Sequence, residues 1–259
     1  RDANEKILNI WNKIADYPII QLLLKFNENF KLFLLPYLYR FEVNAITEER
    51  IKPIVECFLR LFAIMEMGEV GYSASIFKTF LFNENFNLVN PNYADESIID
   101  DFDRHILNNF KEDDLIVDLK DYDKNILVFL NEYLYAQNKG IPFRFENNVN
   151  VEHIMPASGH NVDAIRIDAG IGTKEEFDNL VNKLGNKILL EENINKSISN
   201  DWFKTKKGTT VKSKQGYLGS EFGLAKALAN YPKDKWKKSD IKQFTEVAAH
   251  RIANFVFHK

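Results

Sequence analysis

The apolar positions of the first half repeat at helical spacing. Ile51, Ile54, Val55, Phe58, Leu59 and Phe62 fall on one helical face, and Thr47 with Glu48 and Glu49 supplies a start signal, with Pro53 as a possible delay. Ile98, Phe102, Ile106 and Phe110 recur every four residues in the same way. A further helix begins near Lys124, carries Ile126, Leu127, Leu130 and Leu134, and should stop at Gly140 and Pro142. Such stripes pack a core and carry no chemistry by themselves.

The period then shortens. Phe143 and Phe145, then Val149 and Val151, alternate with polar residues, which suits a strand. Residues 159–172 read as a loop, Lys174 to Leu184 as a helix ending at Gly185, and Ile188 to Leu190 as a second strand. A helix is expected within 193–200, and two more close the chain near 220–230 and 239–257. The expected class is α+β and predominantly helical. It divides into a helical domain over 1–145 and a second domain over 146–259, with a strand-bearing core to about 215 and terminal helices from 216.

Composition is that of an ordinary globular chain, 45% hydrophobic and 27% charged over 259 residues. The longest apolar run, Leu32 to Tyr39, is broken by Pro36 and is too short to span a bilayer, which takes about 20 residues. No secretory pattern opens the sequence, and the single Cys57 lies in an apolar helix, so a reducing, cytoplasmic setting with no membrane is expected. A first residue of Arg1 points to a longer parent chain. The net charge of −3 hides an asymmetry: residues 201–259 hold 13 Lys and Arg against 5 Asp and Glu, or +8, leaving 21 against 32, or −11, before them.

Chemistry gathers in Val151-Glu152-His153-Ile154-Met155-Pro156, Leu184-Gly185-Asn186-Lys187-Ile188-Leu189-Leu190 and the segment from Asn195 to Asn200. Neighbours on a strand point to opposite faces, so Glu152 and His153 serve one site only where the strand ends, and Pro156 marks such an end. Phosphodiester hydrolysis needs a base for water, compensation of charge on the phosphoryl oxygens and help for the leaving oxygen. A neutral His153 suits the first task, and a divalent ion on hard oxygens from Glu152 and Asn195 suits the others. Asn186 is expected to accept from the second imidazole nitrogen and fix its tautomer. For Asn195 a helix-capping role competes, as it does for Asn193 and Asn200.

In these motifs the sequence resembles the HNH-like, or ββα-metal, nuclease domain at the C-terminus of GmrSD-type, modification-dependent restriction endonucleases. The likeness rests on Glu152-His153-Ile154-Met155-Pro156, Gly185-Asn186-Lys187-Ile188-Leu189-Leu190, Asn195 nine positions after Asn186, Ser199-Asn200 and Phe203-Lys204-Thr205-Lys206, with Gly216-Tyr217, Ser220, Trp236 and Ile241 beyond. It covers roughly residues 126–259. It departs at Lys187, where the family has Leu, at a position read as exposed, and in lacking a Trp between the His and Gly-Asn motifs. The resemblance implies His153 as general base, Asn186 as the residue orienting it, and Glu152 and Asn195 as ligands of Mg²⁺ or Mn²⁺. It further implies DNA as substrate, modified phage DNA among it, and an N-terminal nucleotide-binding sensor domain or subunit. No phosphate-cradling loop occurs in this chain.

Lys196, Lys204, Lys206, Lys207 and Lys214, with Lys212 among them, form an expected DNA track, Lys206 foremost, against the plainer reading of a solvated loop. His105, His160, His250 and His258 receive no role, and Trp11, Trp202 and Trp236 are read as core. Two other functions compete with a DNA endonuclease: a non-catalytic nucleic-acid-binding or assembly module, and an RNase built on the same site.

Overall fold

The computed structural model describes residues 2–68, 75–144, 148–208 and 216–259. They form two compact units, one of Arg1–Leu115 with Asn254–Lys259, the other of Ile116–Ala253.

The first unit is built from helices α1 (Asp2–Ile14), α2 (Pro18–Phe26), α3 (Lys31–Leu38), α4 (Glu48–Met67), α5 (Ser75–Val89) and α6 (Asp95–Asn109). Helix α4 starts where its apolar pattern and its cap agree: the Thr47 hydroxyl accepts from the Arg50 amide at 3.3 Å, Glu48 and Glu49 face the positive helix end, and Pro53 does not delay the start. Its Ile51, Ile54, Val55, Phe58 and Leu59 are buried, as are Ile98, Phe102 and Ile106 of α6. Arg60, also buried, donates to the Val256 carbonyl at 2.9 Å and pairs with Asp103. A buried cation needs such partners, and they tie the chain's end into this core.

Helix α7 (Glu112–Asp121) leads to the second unit, whose α8 (Ile126–Lys139) ends at Gly140 with φ +62°, the left-handed stop read from the sequence. Strands β1 (Val149–His153) and β2 (Lys187–Glu191) form an antiparallel pair in the register Val149↔Glu191 to His153↔Lys187. Between them lie α9 (Val162–Asp168) and α10 (Lys174–Val181); after them come α11 (Glu192–Ile198), α12 (Phe203–Lys206), α13 (Gly223–Ala229) and α14 (Lys238–Val256). The run Ile188-Leu189-Leu190 is buried on both strand faces, because β2 packs against α8 and α13 as well as α11. The Glu132 carboxylate on α8 accepts from the Gly223 and Leu224 amides at 2.6 and 3.2 Å and so satisfies the start of α13.

Among the described residues the protein is thus mostly helical with one two-stranded sheet, an α+β fold. Three expectations are corrected. Residues 159–172 are not all loop, since α9 lies within them; only Ile165 of its seven residues is buried, too few to set up a visible period. Helix α10 stops at Val181 rather than near Leu184, and residues 184–186 form a 3₁₀ turn. Phe143 is outside any strand, and Phe145 lies outside the described residues. Among the described residues no helix is long and apolar enough to cross a membrane.

Candidate active site

The site forms where β1 runs out. Alternation along the strand turns Glu152 inward, 5% exposed, while His153 on the other face is half-buried and sits directly across from Lys187. Beyond His153 one more backbone bond, from the Ile154 amide to the Asn186 carbonyl at 2.9 Å, carries the chain into its Pro156 turn.

Asn186 is fully buried and its amide is saturated. Oδ1 accepts from the Met155 amide at 2.8 Å and from Trp236 Nε1 at 3.1 Å; Nδ2 donates to the Met155 and Val181 carbonyls at 2.9 and 2.8 Å. Two donors and two acceptor positions are all used, and none meets His153. The expected orienting contact is therefore corrected: Asn186 clamps the turn after β1, the end of α10 and Trp236 together. The imidazole instead has its Nε2 at 3.0 Å from Oδ1 of Asn182, the residue that follows α10. Burial, with the positive charges of Lys187 and Lys206, holds the His153 pKa below its ordinary value, partly opposed by the Asn182 bond.

Lys206 is corrected in the same way. It is fully buried at the end of α12 rather than on a surface track, and its ammonium bonds to Oε1 of Glu152 and, at 2.7 Å, to the His153 carbonyl. The cause is electrostatic: a carboxylate turned inward from β1 requires a cation within reach. The Tyr217 hydroxyl donates to the same Oε1 at 3.4 Å, and burial beside that carboxylate keeps its proton on well above the usual range. Burial pushes the Glu152 carboxyl up and the Lys206 ammonium down, each opposed by the other's charge. Lys187 is not exposed either. It is 2% accessible and donates to the Asp123 and Lys124 carbonyls and to Oδ1 of Asn125, while burial lowers its pKa to about 8.

Asn195 lies in α11, half-buried, on a helix that packs against both strands. It caps nothing, since Glu191 holds the cap position, and among the described residues its side chain has no hydrogen bond. Asn193 accepts from the Ile194 amide at 2.9 Å, and Asn200 packs against Gly159, whose φ of +117° and close approach leave no room for a side chain. Among the described residues no three His, Cys, Asp or Glu side chains gather as a metal cluster. Exposed Lys196 pairs with Glu192, and exposed Lys204 with Asp234 at 2.9 Å. Lys207 donates to the Tyr231 and Lys233 carbonyls. Lys212 and Lys214 lie outside the described residues. His160 is exposed, Trp236 is core, and Trp11 and Trp202 are half-buried.

The residue that sequence reasoning missed is Asn182. Its only signal is its place at the end of an amphipathic helix, four residues before a more conspicuous Asn.

At the end of β1 a half-buried imidazole stands on one face and the buried Glu152–Lys206 pair on the other, in a chain that carries the nuclease module of a restriction endonuclease. It belongs to the family described as GmrSD restriction endonucleases, C-terminal domain, whose model matches residues 100–249. No curated protein and no solved structure matches the chain.

Proposed function

We propose that the chain is a metal-dependent DNA endonuclease of the HNH type, acting in modification-dependent defence against phage, with β1, β2 and α11 as its ββα-metal unit. The observation that carries this reading is His153: a strand-end imidazole kept neutral at pH 7 by burial and two nearby cations, in a chain of a restriction-endonuclease family. A neutral ring can take a proton from water; an imidazolium cannot.

Glu152 and Asn195 would hold the ion. Both offer oxygen, the donor type that Mg²⁺ and Mn²⁺ prefer, and Mg²⁺ keeps several waters of its own, so two protein ligands are enough. Lys206 and Tyr217 both bond to Oε1 of Glu152 rather than to Oε2. When bound, the ion supplies charge compensation to the phosphoryl and leaving oxygens. Lys206 contributes by fixing the Glu152 side chain and the His153 carbonyl at once. Exposed Lys196 and Lys204 pair with Glu192 and Asp234, and ion pairs near the surface are worth at most about 1 kcal/mol, so DNA phosphate can compete for these ammonium groups. Lys207 and Lys214 complete the proposed contact set, with a nucleotide-binding sensor as partner.

The test is cleavage of plasmid and phage DNA by the full chain with Mg²⁺ or Mn²⁺. Cleavage by the wild type, reduced about 100-fold or more in His153→Ala, is expected. Equal cleavage by both proteins overturns the reading. RNA cut in preference to DNA makes the chain an RNase. Salt-dependent DNA binding with no cleavage under any ion, unaffected by Glu152→Ala, makes it a binding module.

A further inference from the structure

We infer that Asn182 is the positioning residue for His153, holding the ring as its Nε2–H tautomer and so making Nδ1 the nitrogen that takes the proton from water. The inference rests on the nuclease reading for its chemistry, but its geometry stands apart from it.

A neutral imidazole carries one N–H and one lone pair, and the partner of one nitrogen decides which is which. Nε2 of His153 lies 3.0 Å from Oδ1 of Asn182, and an amide oxygen only accepts, so the proton sits on Nε2. The lone pair is then on Nδ1. Neither nearby ammonium competes for the ring. Lys187 spends its three donors on the Asp123 and Lys124 carbonyls and Asn125, and Lys206 is held by Glu152 and the His153 carbonyl. Among the described residues nothing bonds to Nδ1, which leaves it for solvent.

The backbone on either side of Asn182 is pinned, as a positioning residue requires. The Val181 carbonyl accepts from Nδ2 of Asn186 at 2.8 Å, the Lys183 amide donates to the Leu180 carbonyl at 3.2 Å, and the Lys183 ammonium pairs with Asp121 at 2.9 Å. Asn186 thereby acts on the imidazole at one remove, through α10 and Asn182.

The experiment is a long-range ¹H–¹⁵N spectrum of the full chain with ¹⁵N-labelled histidines at pH 7.5, the His153 signals assigned by their loss in His153→Gln. The wild type should show the Nε2–H tautomer, Asn182→Ala a shift toward Nδ1–H, and Asn182→Asp, which keeps an acceptor, the wild-type tautomer. In parallel, Asn182→Ala should lower kcat at least about 10-fold with KM little changed. An Nδ1–H tautomer in the wild type overturns the inference, and so does an unaltered tautomer in Asn182→Ala. If Asn182→Ala does not fold, the wild-type and Asn182→Asp spectra still decide. If the wild type cuts no nucleic acid, the nuclease reading fails while the tautomer result separately decides the positioning claim.

Discussion

Asn186 and Lys206 separate what a residue is from where it stands. Both lie in motif positions, and both act by holding other groups rather than by facing solvent. Asn186→Ala removes four hydrogen bonds and strands buried partners, each unmade bond costing about 1–3 kcal/mol, so a loss of at least about 3 kcal/mol in urea denaturation is expected alongside any loss of cleavage. Lys206→Met leaves the Glu152 carboxylate buried and unpaired, and about 3–5 kcal/mol is expected. The double variant Glu152→Met with Lys206→Met should recover much of that, because the cost lies in the uncompensated charge; a double variant as unstable as the sum of its singles would refute the pairing. Glu152 and His153 were legible as a motif. Asn182 was not, because it meets His153 across 29 residues, and nothing local distinguishes it. Lys206 was misread because a lysine among Gly and Thr resembles a solvated loop until the inward turn of Glu152 is known.

At the scale of elements, the clearest signals were those with a stereochemical cause. Gly140 ends α8 in the left-handed region, and Gly185 begins the second motif because a Cβ there would run into the Ile241 carbonyl and the Thr245 amide of α14. These two glycines should respond differently. Gly140→Ala meets open space and carries only conformational strain, about 1–2 kcal/mol. Gly185→Ala forces backbone apart, so a larger shift of the urea midpoint is expected, typically about 1–3 kcal/mol and more where the helix cannot move. The reverse ranking would mean that α14 yields easily. Helix α9 escaped notice because seven residues with one buried side chain leave no period to read. Helix α10 looked longer than it is because Leu184 continues its apolar spacing after the backbone has changed.

For the whole molecule, net charge was the weakest guide. Part of the basic excess of residues 201–259 is answered by carboxylates from earlier in the chain: Lys206 pairs with Glu152, Lys235 with Asp168, Lys238 with Glu176 and Lys259 with Glu112. Each unit holds a buried carboxyl whose raised pKa couples stability to pH. Burial raises Glu84 and Glu132 from 4.5 to about 7, so the folded chain binds these protons more tightly than the unfolded one. Their contribution is therefore largest at low pH, falls as pH climbs from about 4.5 to about 7, and is level above. Glu132→Gln, which keeps an oxygen for the Gly223 and Leu224 amides, should gain stability relative to wild type between pH 5 and pH 7.5 in thermal melts. A difference that does not change with pH would show that Glu132 is charged throughout.

Cys57 offers a different use. It is the chain's only sulfhydryl, 1% accessible on α4 in the first unit, and burial pushes its pKa to about 12. In the closed state it is therefore nearly inert, because both contact with reagent and the reactive thiolate are denied. Its alkylation rate becomes a stopwatch for breathing of that helical core, readable in the unaltered protein.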